Sequence, residues 1–68
     1  MSKDFPRITL EAARVNAHLT QSDAAAKIGV SRATLQSYER GDTVPNWDTV
    51  GKIGDVYHFP VDYIFFGK

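Results

Sequence analysis

Side chains of varied hydrogen-bonding chemistry gather in one short stretch of this 68-residue chain, from Ser31 to Ser37. Arg32 and Gln36 stand one helical turn apart, with Ser31, Ala33 and Ser37 beside them. An arginine fork can donate to guanine O6 and N7 together, a glutamine amide can bond adenine in both directions, and an alanine methyl can pack on a thymine methyl. Taken one at a time, each also suits the solvated face of an amphipathic helix, and for any single residue that plainer reading weighs more. Other chemistries have less support. His18 and His58 lie far apart with no ligand pattern, and the absence of cysteine removes disulfides and thiolate metal sites. No Ser/His/Asp order, no paired carboxylates in a pocket-forming context and no phosphate-cradling glycine loop occurs. The chain is not expected to be an enzyme or to hold a metal or cofactor.

The stretch is positioned by a run of helix signals. Thr9 can cap a helix over residues 10–17, with Glu11 in its first turn and Leu10, Ala13, Arg14 and Ala17 along one face. An arginine in that stripe needs a partner. Thr20-Gln21-Ser22-Asp23 reads as a capping box with Asp in the usual place of Glu, and opens a second helix that Gly29 ends. Ser31 caps a third helix over residues 32–40, which Gly41 stops. Residues 42–45 read as a loop. Asn46 caps a fourth helix with Trp47, Val50, Ile53, Val56 and Tyr57 as its apolar stripe. Gly51 and Gly54 weaken that helix by about 1 kcal/mol each relative to alanine. After Pro60, residues 61–66 are expected to form a short fifth helix. Strand signals are scarce, with no Asn-Gly or Asp-Gly turn and no long alternation.

The length allows one small domain, which buries only about 60% of the surface its unfolded chain exposes. Without disulfides or metals, self-association is the remaining source of support. Formal net charge is zero, an argument against a nucleic-acid binder, but it is unevenly spread. Up to Gly41 the basic residues outnumber the acidic ones, and beyond it Asp42, Asp48, Asp55 and Asp62 face only Lys52 and Lys68. A polarised molecule can still present one basic face. No apolar run is long enough to span a membrane and no signal-peptide layout opens the chain, so a soluble, cytoplasmic protein is expected.

Residues 20–41 are the informative segment. Two short helices joined by the turn Gly29-Val30-Ser31 cross at a large angle, so that the second can lie in a DNA major groove while the first braces it across the backbone. Ala25 is small where the helices would approach, and Val30 and Leu35 are apolar where the second would rest on the core. The ordered set of Leu19-Thr20-Gln21, Ala25, Gly29-Val30-Ser31, Leu35 and Tyr38-Glu39-Arg40-Gly41 resembles the Xre family, the phage-repressor and Cro-like helix-turn-helix group. Pro45, the Trp47/Val50/Ile53 stripe and Val61-Asp62-Tyr63-Ile64 extend the resemblance, which covers Ile8 to Gly67. It implies an all-α, five-helix bundle of the lambda-repressor-like DNA-binding type over residues 8–68, with the motif at about 20–41 and a flexible N-terminal arm at 1–7. The chain departs from the family at His18 and His58, which often are glycine, at Ala24, usually larger, and at the two glycines of the fourth helix.

The resemblance further implies that Ser31, Arg32, Ala33, Gln36 and Ser37 face the groove and contact bases. Gln21, with Thr20, would grip a phosphate; Lys27, Thr34 and Arg40 are weaker phosphate candidates. Arg14 and Glu39 would form a structural salt bridge, giving the arginine of the apolar stripe its partner. Tyr38, Trp47, Tyr57, Phe59, Tyr63, Phe65 and Phe66 fall mostly after Asn46. A short helix cannot bury both Phe65 and Phe66, so Phe59, Tyr63, Phe65 and Phe66 are expected to form a dimer contact, in the region where the family commonly dimerises. The implied function is a sequence-specific double-stranded DNA-binding transcriptional regulator of repressor or Cro type, bacterial or phage-encoded, acting as a homodimer on a near-palindromic operator. Zero net charge and the aromatic C-terminal end keep a second reading open, a protein-interaction module of antirepressor or antitoxin type that retains the fold. The chain reads equally as a complete regulator or as the N-terminal part of a longer protein.

Overall fold

The computed structural model describes residues 7–66, so residues 1–6 of the expected arm, and Gly67 and Lys68, lie outside the described residues. The order is β1 (Ile8–Thr9), α1 (Leu10–Asn16), α2 (Gln21–Ile28), α3 (Arg32–Arg40), α4 (Trp47–Tyr57), a 3-10 turn (Val61–Tyr63) and β2 (Ile64–Phe65). Each α-helix starts where a short polar side chain satisfies an orphan backbone N–H. Thr9 Oγ1 accepts from Ala12 N, Thr20 Oγ1 from Asp23 N, Ser31 Oγ from Thr34 N and Asn46 Oδ1 from Thr49 N, at 2.9–3.0 Å. Gly29 (φ 94°) and Gly41 (φ 81°) end α2 and α3 in the left-handed region. His18 (φ 62°) and His58 (φ 53°) do the same work after α1 and α4, at the two positions where glycine is the easier residue.

The expected fifth α-helix does not form. Residues 61–63 make one 3-10 turn, and Ile64–Phe65 extends to pair in parallel with Ile8–Thr9, Ile8 opposite Ile64 and Thr9 opposite Phe65. Ile64 and Phe65 favour extended backbone, and the pairing gives their peptide groups partners that a one-turn helix end would leave open. Strand alternation also resolves the crowding of adjacent aromatics. Ile64 is buried, Phe65 is 41% exposed and Phe66 packs on the core.

Leu10, Ala13, Ala24, Ala25, Ile28, Leu35, Ile53, Tyr57 and Ile64 form the core, with Leu35 and Ile53 sealed from solvent. The small residues Ala24 and Ala25 bring α2 against both α3 and α4. In α4 the expected stripe packs at Ile53, Val56 and Tyr57, is half-buried at Val50 and fails at its first member. Trp47 is 86% exposed, in a first turn of α4 whose other residues are exposed or half-buried. Gly54 has a packing role: a Cβ there would lie 2.8 Å from Val61 Cγ1 and 3.5 Å from the Phe59 carbonyl oxygen, whereas one on Gly51 would meet nothing within 4 Å. Among the described residues no helix is long and apolar enough to cross a membrane.

Candidate nucleic-acid interface

The left-handed Gly29 turns the chain sharply after α2, and Val30 packs on the core before Ser31 opens α3. Leu35, fully buried, anchors α3 by one face. The opposite face is then available. Ser31, Arg32 and Ala33 are exposed, and Gln36 and Ser37 are half-buried. Ser31 is committed locally, since its hydroxyl accepts the Thr34 N–H and donates to Thr34 Oγ1 at 2.9 Å. Ser37 Oγ accepts from Thr43 Oγ1 at 3.1 Å. Arg32 has no ion pair among the described residues.

At the N-terminus of α2, Thr20, Gln21 and Ser22 line a shallow depression together with Arg32, Arg14 and the carboxylate-bearing Glu11. Two of the phosphate candidates thus stand beside the leading base-contact candidate, next to backbone N–H groups that favour an anion. Lys27 is exposed near the far end of α2. Arg40 is exposed and its Nε donates to Asp42 Oδ2 at 2.9 Å. Thr34 is half-buried and holds Ser31.

Behind this face lies a polar network. Arg14 Nε donates to Glu39 Oε2 at 2.7 Å, Arg14 Nη2 lies 3.5 Å from Glu39 Oε1, and Arg14 Nη1 donates to the Leu19 carbonyl at 2.9 Å. The Arg14 and Glu39 side chains are 11% and 6% exposed. The bond to Glu39, more than its charge alone, raises the Arg14 pKa above its ordinary value against the opposing effect of burial. Gln21 Nε2 donates to Glu39 Oε1 at 2.9 Å, and Gln36 Nε2 donates to Gln21 Oε1 at 3.2 Å. The ion pair and the outer face of α3 are therefore linked through two amides, a connection with no signature in the sequence because its members come from three helices.

The wall opposite α3 leaves little trace in the sequence. Thr43, Val44 and Asn46 line an open groove with Ala33, Thr34, Ser37 and Tyr38. Val44 is 63% exposed. An apolar residue between Gly41 and Pro45 in an otherwise polar loop was the available signal. Of the expected dimer residues, Phe59 and Phe66 pack against the core, Tyr63 is half-buried, and Phe65 alone is exposed. Among the described residues no group of three or more His, Asp or Glu side chains gathers as a metal site would need.

Comparison with known proteins adds relatives to this geometry. The chain is 36% identical over 55 residues to the HTH-type transcriptional regulator ImmR of Bacillus subtilis, covering 81% of this chain and 43% of that protein. It is 30% identical over 59 residues to YqaE, an uncharacterized HTH-type transcriptional regulator of the same organism, covering 87% of this chain and 51% of that protein. The chain thus spans about half the length of these curated relatives, or less. No solved structure matches it. A helix-turn-helix family profile matches residues 10–64, from the first residue of α1 to the first of β2, and by that match the chain belongs to the Xre-like helix-turn-helix family.

Proposed function

We infer that this chain is a sequence-specific double-stranded DNA-binding transcriptional regulator whose α3 enters the major groove. The observation that carries the reading is the division of α3 into a buried face held by Leu35 and an accessible face of Arg32, Ala33, Gln36 and Ser37. Arg32, free of intramolecular ion pairs among the described residues, reads guanine O6 and N7, Gln36 reads adenine and Ala33 packs on a thymine methyl. Ser31 and Ser37 contribute mainly by shaping the surface, since their hydroxyls are engaged within the protein. Thr20 and Gln21 hold a phosphate at the start of α2, and Lys27, Thr34 and Arg40 add weaker backbone contacts. Its relatives are named as transcriptional regulators, which supports the same class of activity.

The protein acts as a homodimer of repressor or Cro type on a near-palindromic operator, two copies of α3 entering successive major grooves about 34 Å apart. Phe65, with the edges of Phe59, Tyr63 and Phe66, forms the contact between copies. Selection of bound duplexes from a random DNA pool tests this reading. Recovery of a two-fold symmetric motif with half-sites one helical turn apart is expected. Recovery of nothing above background shifts the weight to a protein-interaction module, which zero net charge favours.

A further inference from the structure

Glu39 is buried, sits on the far side of α3 from solvent, and serves an ion pair, so it looks remote from any base. Its second oxygen nevertheless accepts from Gln21 Nε2 at 2.9 Å, and Gln21 Oε1 accepts from Gln36 Nε2 at 3.2 Å. The direction of this relay follows from chemistry. A carboxylate only accepts, so Gln21 must turn its NH2 group toward Glu39 and its carbonyl oxygen away. Gln36, meeting that oxygen, must spend one N–H on it. What remains free on Gln36 is one N–H beside one carbonyl oxygen.

We propose that Glu39 is a positioning residue for base readout, fixing the amide of Gln36 through Gln21 so that Gln36 selects adenine and rejects guanine. Adenine offers an acceptor (N7) and a donor (N6–H) side by side, the complement of the free edge of Gln36. Guanine offers two acceptors, N7 and O6, and meets the fixed amide with one oxygen against another. An untethered glutamine can rotate its amide and give both N–H groups to guanine, so the discrimination comes from the tether and not from the residue type. The half-buried state of Gln36 and Gln21 reduces competition from water for these bonds.

The inference rests on the DNA-reading function above, and the test separates the two. The wild-type chain, Gln36→Ala and Gln21→Met are each put through duplex selection at low salt, where loss of one phosphate contact is tolerated. Gln21→Met cuts the relay while leaving Arg14 and Glu39 paired, and circular dichroism checks that each variant is folded. The expected result is that Gln36→Ala abolishes an adenine preference at one position of the half-site, and that Gln21→Met reduces the adenine-over-guanine ratio there by roughly tenfold and leaves the other positions unchanged. The double variant Arg14→Met with Glu39→Leu, which frees the Gln21 amide without leaving a buried charge unpaired, gives the same loss at the same position. If the wild type selects no sequence, the DNA reading fails and the relay with it. If the wild type selects a motif but Gln21→Met weakens binding evenly and keeps the adenine preference, or Gln36→Ala changes no position, the relay is overturned while the DNA reading stands.

Discussion

Replacing Arg14 by methionine should nearly unfold this domain. The side chain is 11% exposed and its removal leaves the Glu39 carboxylate, 6% exposed, with Gln21 as its remaining side-chain donor. Breaking one side of a buried ion pair typically costs about 3–5 kcal/mol, because the remaining charge is left uncompensated. A domain of this length is stable by roughly 3–10 kcal/mol in all, so the loss is of the same order as the whole. Removing both charges, as Arg14→Met with Glu39→Leu, should recover most of it. What stays lost is the bond from Arg14 Nη1 to the Leu19 carbonyl and the acceptor of Gln21, together about 1–2 kcal/mol. The exposed Arg40–Asp42 pair provides the contrast within the same molecule. With side chains 65% and 50% exposed, it should cost less than about 1 kcal/mol when Arg40 is replaced by alanine. Urea unfolding followed by circular dichroism measures all three variants, and a shifted midpoint at unchanged slope assigns the change to stability. An Arg14→Met variant no less stable than Arg40→Ala, or a double variant no more stable than the single, would refute the buried-pair argument.

Further expectations concern α4 and its surroundings. Gly51→Ala should stabilise by about 0.5–1 kcal/mol in thermal unfolding, since it gains helix propensity in open space, whereas Gly54→Ala should gain nothing or lose because its methyl meets Val61; equal gains at both sites would contradict the packing role of Gly54. His58→Gly should stabilise the fold by roughly 0.5–1 kcal/mol net of the entropy of glycine, relieving the left-handed backbone at φ 53° and raising the melting temperature; a lower melting temperature would show that the imidazole makes a compensating contact. The Tyr57 hydroxyl is buried without a hydrogen-bond partner among the described residues, so Tyr57→Phe should stabilise by up to about 1 kcal/mol at neutral pH. Burial first, then the charge of Glu39, pushes the Tyr57 pKa from 10.0 up to about 12. Its folded pKa lies above its unfolded one, so ionisation favours the unfolded chain: stability is unaffected below pH 10 and falls as pH rises through 10 toward 12. Denaturation curves across that window should fall more steeply for the wild type than for Tyr57→Phe, and parallel curves would rule the assignment out.

The legible part of this molecule was written in caps and stops. Thr9, Thr20, Ser31 and Asn46 each satisfy a helix N-terminus in a way that depends on the residue itself and its near neighbours, so a linear reading finds them. The same holds for Gly29 and Gly41, whose left-handed φ is a local property. The C-terminal end was misread for the opposite reason. Residues 64–65 become a strand only because Ile8 and Thr9, more than fifty positions earlier, supply the partner, and a two-residue strand is too short to show alternation. The spacing of Trp47 is correct for the helix, but spacing does not say how much of α4 the core covers, and its first turn stays exposed or half-buried. Within the site, the residue types of α3 were readable and their accessibility followed from Leu35. The amide relay was not readable, because Gln21, Gln36 and Glu39 are brought together by the crossing of α2 on α3. The face of aromatics after Asn46 shrank on folding: Phe59 and Phe66 turn to the core and Phe65 is left outside.

The most direct test of the central claim, that α3 reads base edges, is the affinity of the wild-type chain and of Arg32→Ala for a selected duplex and for each of its single-base variants. Arg32→Ala should weaken binding to the selected duplex by about 1–3 kcal/mol and become indifferent to the base pair at one position, while penalties at all other positions stay as they were. An Arg32→Ala chain that binds with unchanged affinity and an unchanged pattern of base penalties would contradict the placement of this helix in the groove.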